Sequence, residues 1–104
     1  MSLKEIDDAY TSTAKTILSR RGSKNVRCYQ DGEYRIIVSV DPSGDNGEDE
    51  HHVSVSRKLL KPVTVSVARR YAKILFPRVS IKDWEHHTEK GQQATHLFSP
   101  VDSE

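Results

Sequence analysis

Several features that assign a chain to a structural or functional class are rare or missing here. The single cysteine, Cys28, excludes an internal disulfide and is typical of a reducing compartment. No apolar run approaches the roughly 20 residues that span a bilayer, and the polar start SLKEIDD differs from a secretory signal peptide. We therefore expect a cytoplasmic protein that has no membrane partner.

The short motifs that carry known chemistry are also missing. The five glycines are dispersed among turns and form no phosphate-binding loop, and Cys28 falls in a predicted strand, with no helix N-terminus to activate its thiol. There is no helix-turn-helix, zinc-finger, cold-shock or RNP signature, and a small core needs most of the few aromatic residues. We expect no cofactor and no enzymatic activity.

The composition predicts one small domain. A chain of 104 residues with 35% hydrophobic and 30% charged residues can fill only a thin core. One layer of helix packed on one sheet is the arrangement that such a core supports. Multi-layer enzyme folds are therefore disfavoured.

The first half of the chain predicts a helix followed by a β-hairpin. Ser2 and Glu5 have the spacing of a capping box, and apolar residues recur at helical intervals up to Gly22. The dipeptide Asp31-Gly32 then joins two β-prone runs and predicts a type I′ turn. Alternate residues of the second run share one face, which we expect to meet the helices: Tyr34, Ile36, Val38 and Val40.

The second half predicts a third strand, a helix and two short strands. His52 to Ser56 alternates polar and apolar residues, as a strand with one covered face does. Thr64 can cap a helix that Pro77 ends. Two short strands follow, one near Val79 to Trp84 and one over Thr95 to Ser99.

The predicted fold is α+β in the order α-β-β-β-α-β-β. A small antiparallel sheet of four to five strands is covered on one face by two helices. Residues 41–50 form a mobile acidic loop and residues 100–104 a frayed tail, because both segments are polar and lack an apolar anchor.

One sign of charge is missing from the centre of the chain. His51 to Lys82 holds eight Lys or Arg residues and no Asp or Glu, in a molecule whose formal net charge is only +1. Two clusters, one at the end of the third strand and one on the second helix, can converge on a polyanion or an acidic protein surface. The candidate contacts are Arg57, Lys58, Lys61, Arg69, Arg70 and Lys73. The alternative is an ordinary solvated helix face, and nucleic-acid binding is left open.

The acidic segment and the histidines give two further hypotheses. The acidic segment can act as a phosphate mimic, with contacts at Asp45, Glu48, Asp49 and Glu50. The histidines are His51, His52, His86, His87 and His96. Adjacent histidines of a strand point to opposite faces, so at most one of each pair joins a given site. Surface or edge histidines are the simpler interpretation, and we expect no metal.

A histidine motif resembles an enzyme family. His52-Val53-Ser54-Val55 is similar to the His-x-Ser/Thr-x motif of the two-histidine phosphoesterases, and His86-His87-Thr88-Glu89 can be aligned with the second copy. The resemblance implies a histidine acid and base acting on a phosphodiester. However, Thr88 falls in a polar turn, and 104 residues are too few for the two lobes of that family.

The stretch HVSVSRKLLKP, His52 to Pro62, followed by a helix and a late strand with His96, resembles small uncharacterised α+β proteins of bacteriophages and prophages. About half the chain is covered and no site residue is transferred. The resemblance implies an accessory protein that binds and inhibits a host protein, including a protein of a defence complex. The sequence therefore supports two hypotheses, a basic binding module and an inhibitor that uses its acidic segment.

Overall fold

The computed structural model describes residues 3–42, 49–87 and 93–101, apart from the side chain of Leu60. In chain order its elements are β1 (Lys4–Ile6), α1 (Ala9–Arg20), β2 (Lys24–Asp31), β3 (Tyr34–Pro42), β4 (Asp49–Arg57), α2 (Val65–Leu75), β5 (Glu85–His86) and β6 (Thr95–Pro100). The strands form one antiparallel sheet in the order β1-β2-β3-β4-β6-β5. The α+β class and the antiparallel sheet are confirmed. Six strands replace the four to five expected, and a strand precedes the first helix.

The N-terminal segment departs from the prediction. Lys4–Ile6 was expected to be helical but pairs with β2 as the edge of the sheet. The helix begins only after Asp8, whose carboxylate accepts hydrogen bonds from the backbone N–H and the hydroxyl of Thr11, both at 2.9 Å. A carboxylate at this position also interacts favourably with the positive end of the helix. With Lys4–Ile6 paired in the sheet, α1 therefore starts at the Asp8 cap.

The hairpin between β2 and β3 is confirmed, but its turn lies one residue later than predicted. Asp31 pairs with Tyr34, so Gly32 and Glu33 are the two central residues. Gly32 fills the first central position with a φ of 59°, but Glu33 in the second does not have the positive φ that a type I′ turn also requires, and this pattern fits a type II′ turn. The predicted type I′ turn is therefore wrong.

The core lies between α2 and one face of the sheet, which we call the α2 face. Thr64 caps the helix as predicted, since its hydroxyl accepts a hydrogen bond from the Val67 N–H at 3.2 Å. The residues that make up the core are fully or almost fully buried: Ile36, Val38, Val53, Val55, Val63, Ala68, Tyr71, Ala72, Val79, Trp84 and Leu97. The Tyr71 hydroxyl donates to Asp31 at 2.7 Å and ties α2 to the hairpin. Burial and this bond raise the pKa of Tyr71.

The first helix covers the opposite face, which we call the α1 face. Buried Thr11 lies over Cys28, which is also buried, and burial raises the pKa of the Cys28 thiol. Cys28 and Arg35 alternate with the residues that face α2, so the two helices lie on opposite sides of the sheet. The expectation that both helices cover one face is wrong. The reason is the β1–β2 edge, whose own α1-side residues need a cover.

The strands around the acidic segment are longer than predicted. Asp41, Pro42, Asp49 and Glu50 are paired residues of β3 and β4. Residues 43–48 of the predicted acidic loop lie outside the described residues. In the predicted tail, Pro100 belongs to β6, and residues 102–104 lie outside the described part.

The segment after α2 forms less strand than expected. Val79 is buried in a loop, and Ile81–Asp83 is a 3-10 turn. Only Glu85–His86 pairs with β6. Among the described residues, neither helix combines the length and the apolar character needed to cross a lipid bilayer.

Candidate functional site

Two of the three predicted cations of α2 bond backbone oxygens within the fold. Arg69 donates from Nη2 to the backbone oxygen of Trp84 at 3.3 Å, and Lys73 donates from Nζ to the backbone oxygen of Pro77 at 2.7 Å. The second bond satisfies a carbonyl just beyond the helix C-terminus. Arg70 is exposed on the outer side of the helix.

Two of the three predicted cations of α2, Arg69 and Lys73, lie on the flank away from the strand-end cluster. Successive residues of a helix are 100° apart, so Arg69 and Tyr71 fall on opposite flanks of α2. Tyr71 lies next to Tyr34, whose ring centroid is 5.7 Å away, and Tyr34 pairs with Arg57 in the sheet. Arg69 instead faces Trp84. The strand-end cations are therefore beside one flank of α2, and Arg69 and Lys73 are beside the other.

The strand-end cluster forms a compact basic turn, which we define as Arg57, Lys58, Leu59 and Lys61. Arg57 bonds Glu33 through both Nε and Nη2 at 2.6 Å, and the Lys58 N–H donates to the backbone oxygen of Glu33 at 2.9 Å. Lys58 and Lys61 are exposed. Leu59 has a φ of 63° and is 86% exposed. The turn thus presents a leucine between two lysines.

Beside the basic turn lies an open cavity of about 260 Å³, which we call the hairpin groove. It runs from α1 across the ends of β2, β3 and β4. Its polar lining includes Tyr10, Gln30, Glu33, Arg35, Ser56 and Lys58. Nothing in the sequence predicted this groove, because its residues come from three strands and a helix.

Arg35 is the most buried cation of the hairpin groove. Its guanidinium carbon lies 4.2 Å from the centroid of the Tyr10 ring, and its Nη2 donates to Asp8 at 3.4 Å. The side chain is 25% exposed, and Nη1 has no hydrogen-bond partner within the described chain. The two hydrogen bonds from Thr11 and then the charge of Arg35 hold the pKa of Asp8 below its usual value.

A second polar cluster, the histidine chain, lies on the part of the α1 face between β3 and β6. It consists of Ser39, Asp41, His52 and His96. The Ser39 hydroxyl donates to Oδ1 of Asp41 at 2.7 Å, and Nδ1 of His52 is 3.2 Å from Oδ2. Nε2 of His52 is 3.0 Å from Nδ1 of His96. Three strands are therefore joined by consecutive side-chain bonds.

The geometry of the two imidazoles fits one hydrogen bond between them. An ionised Asp41 only accepts, so the His52 tautomer with a hydrogen on Nδ1 fits Oδ2, and its Nε2 then accepts from Nδ1–H of His96. The ring planes are within 24° of parallel and the centroids are 5.2 Å apart, so the two nitrogens point at each other. The distance of 3.0 Å between the two nitrogens is that of a direct hydrogen bond.

Asp41 is stabilised as an anion by the histidine chain. Burial raises its pKa, but hydrogen bonds from His52, Ser39 and Ser23 outweigh burial and lower the pKa to about 2. The His52 ring also stacks on Phe98 with a centroid distance of 4.4 Å. Both nitrogens of His52 are thus used within the fold.

The remaining histidines lie elsewhere. His51 is buried on the α2 face against Phe76, with ring centroids 4.6 Å apart, so His51 and His52 point to opposite faces as predicted. His86 in β5 and His87 just after it are exposed, and His87 packs edge-on against Phe98, the ring on which His52 stacks. Thr88 and Glu89 of the second histidine motif suggested by the phosphoesterase resemblance lie outside the described residues. The histidine bonded to His52 is His96. Only the pairing of β4 with β6 could have indicated this.

Of the four predicted acidic contacts, two lie within the described residues and two lie outside them. Asp49 and Glu50 are half-buried residues at the start of β4, opposite Pro42 and Asp41. Asp45 and Glu48 lie outside the described residues. Their role as a phosphate mimic stays a prediction.

No group of three or more His, Cys, Asp or Glu residues within the described ranges is placed to hold a metal ion. Comparison of the chain with protein-family models, with curated proteins and with solved structures gives no match. The candidate sites of the described chain are therefore the basic turn, the hairpin groove and the histidine chain.

Proposed function

We propose that this chain is a non-enzymatic binding module whose basic turn engages an acidic protein surface. The observation that carries the proposal is Leu59, an apolar residue that is 86% exposed and held in a left-handed backbone conformation between Lys58 and Lys61. A leucine in this conformation costs about 1 to 2 kcal/mol relative to glycine. Strain that the fold does not need is typical of binding sites.

The chemistry of the basic turn favours a protein over a nucleic acid. Protein interfaces combine a central apolar anchor with charged residues at the rim, which is the arrangement of Leu59 and its two lysines. Nucleic acids present phosphates to cations and bases to aromatic rings. Leu59 matches neither group. The partner is therefore an acidic surface with an apolar depression.

The bonding of His52 supports a structural role for this histidine. A catalytic histidine needs one ring nitrogen directed at the substrate. In His52 one nitrogen lies against Asp41 and the other against His96. The arrangement supports a role in joining β3, β4 and β6.

The proposal is tested by capturing the partner from the native host with the untagged chain immobilised through its N-terminus, and then measuring the affinity of the purified partner. We expect the double substitution Lys58→Glu and Lys61→Glu to weaken binding at least tenfold. The matched control is Arg78→Glu and Lys82→Glu, which reverses two exposed cations outside the basic turn. Equal affinities of the two variants would overturn the proposal.

The same assay separates the inhibitor hypothesis implied by the phage resemblance. Under that hypothesis the acidic segment is the contact, so Glu48→Gln with Asp49→Asn would abolish binding. We expect that variant to bind the partner as the wild type does. A cytoplasmic location belongs to this proposal, on the basis of the single buried Cys28.

A further inference from the structure

We propose that the hairpin groove is a binding site for a carboxylate group, with Arg35 as the residue that recognises it. The inference rests on the proposed function, because the acidic partner of the basic turn supplies the carboxylate from an Asp or Glu side chain. It adds a specific pocket to a surface that is otherwise defined by charge.

The guanidinium of Arg35 has fewer hydrogen bonds than its donors can make. A guanidinium has five N–H donors, and charge-assisted bonds to carboxylates are about 2.7 to 2.9 Å long. Within the described residues the side chain of Arg35 makes one bond, to Asp8, and at 3.4 Å it is long. Nη1 has no partner among those residues and almost no exposed surface, so a carboxylate reaches it only when the side chain moves towards the groove. A cation that has lost most of its water and gained one weak acceptor is stabilised by another anion.

The Tyr10 ring orients the guanidinium of Arg35. The Tyr10 ring, which is 56% exposed, lies 4.2 Å from the guanidinium carbon of Arg35. Stacking on an aromatic ring fixes the guanidinium plane and leaves its edge for in-plane acceptors. A carboxylate matches such an edge with two parallel hydrogen bonds. The exposed quarter of the Arg35 side chain lines the groove, which is where that acceptor must enter.

The acidic side chains near Arg35 already accept hydrogen bonds from other residues of the chain. Glu33 is bonded twice by Arg57 at 2.6 Å, and Asp8 caps α1 through two bonds with Thr11. The cations Arg35, Arg57 and Lys58 outnumber Asp8 and Glu33 by three to two. The groove lining and the adjacent Asp8 together therefore carry a net charge of +1, since the lining itself holds three cations and one acid.

The volume of the hairpin groove limits the size of the group that it can hold. Pockets for drug-sized molecules have volumes of about 300 to 1,000 Å³. The hairpin groove, at about 260 Å³ and open to solvent, is smaller. It fits one side-chain carboxylate beside the basic turn.

The test is an NMR titration of the untagged chain with two short peptides, acetylated and amidated, that differ only in one Glu or Gln. We expect the Glu peptide to give saturable shifts at the amides of Tyr10, Arg35 and Ser56, with a millimolar dissociation constant. The Gln peptide should give none. Equal binding of both peptides, or no saturable shift with the Glu peptide, would overturn the proposal.

Two variants identify the residue. Arg35→Lys keeps the charge and the interaction with Asp8 but loses the two-pronged geometry, so we expect at least tenfold weaker binding of the Glu peptide. Arg27→Gln is the control, since it removes an exposed cation from the other face of the same sheet. Wild-type affinity in Arg35→Lys, or the same loss in Arg27→Gln, would refute the role of Arg35. A phosphate ion that binds tenfold more tightly than the Glu peptide would refute a carboxylate site.

The failure of this inference can be told apart from the failure of the proposed function. If Lys58→Glu with Lys61→Glu loses the protein partner while Arg35→Lys binds both partner and peptide normally, the groove is not a site and the binding module stands. If Arg35 is needed for the Glu peptide but the lysine variant captures the partner normally, the groove stands and the basic turn does not.

Discussion

Leu59 combines a backbone conformation that suits glycine with a side chain that contacts solvent over most of its surface. Its φ is 63° and its exposure is 86%. We predict that Leu59→Gly raises the free energy of unfolding by about 0.5 to 1 kcal/mol, because relief of left-handed strain exceeds the added entropy of the unfolded chain. Leu59→Ala, which keeps the strain, should leave stability unchanged. Urea unfolding measures both.

The same two variants should both weaken partner binding, since both remove the apolar anchor. A gain in stability together with a loss of affinity separates a functional residue from a structural one. If Leu59→Gly destabilises the chain, the side chain contributes to packing, and the argument for an anchor fails.

Asp41 predicts how stability depends on pH. Its pKa in the folded protein is about 2, below the value near 3.8 of the unfolded chain. A lowered pKa stabilises the fold fully above pH 4, and the contribution is lost as the pH falls towards 2. The shift corresponds to about 2 kcal/mol. Asp41→Asn should therefore be less stable than the wild type by about that amount at pH 6.

Unfolding of the wild type and Asp41→Asn should be compared at pH 6 and at pH 2.5, so that other carboxylates cancel. We expect the difference in unfolding free energy between them to shrink at the lower pH. A difference that is constant over this range would mean that the histidine chain does not depend on the charge of Asp41.

At the scale of elements, α1 and α2 differ in how far local sequence determines them. Thr64 and Pro77 mark the start and the end of α2 as the sequence predicts, because a cap and a proline act within one turn of the chain. The start of α1 was misplaced because Ser2 with Glu5 and Asp8 with Thr11 are both good caps locally. The pairing of Lys4–Ile6 with β2, which joins residues more than 20 positions apart, excludes the first.

In the candidate sites, too, some features follow from local sequence and others depend on contacts between distant parts of the chain. Exposure of Lys58 and Lys61 follows from their charge, but the position of Arg35 against Tyr10 depends on which face α1 covers. His52 and His96 meet because β4 and β6 are neighbours in the sheet, although 44 positions separate them. Such pairings depend on the register between distant strands, which the composition and the hydrophobic period of one strand do not determine.

The N-terminal cap of α1 gives a prediction at this scale. Asp8→Ala removes the cap of Thr11 and the weak acceptor of Arg35, so we expect a lower midpoint of thermal unfolding. Asp7→Ala is the matched control, since Asp7 is 79% exposed and its closest ion pair, with Lys15, is 3.9 Å long. Thermal unfolding of the two variants compares them directly. Equal decreases in the midpoint would show that Asp8 acts only through its charge.

At the scale of the molecule, the two faces of the sheet have different roles. The α2 face holds the apolar core, so substitutions there act on stability. The α1 face is covered by a helix at one end and carries the histidine chain at the other, and the hairpin groove lies at its margin with the basic turn. The turn follows β4, a central strand with partners on both sides, so its position is fixed by the rigid part of the fold.

This placement predicts that charge and shape act on different rates of partner binding. The exposed lysines Lys58 and Lys61 attract an acidic surface at a distance, so their reversal to Glu should lower the association rate constant and its dependence on salt. Leu59→Ala removes a contact that forms only after docking, so it should raise the dissociation rate constant at least tenfold and leave association nearly unchanged. Surface plasmon resonance at low and high salt resolves both rates. A lysine variant that changes only dissociation would show that the lysines act as short-range contacts, and the basic turn would then have no role in attracting its partner.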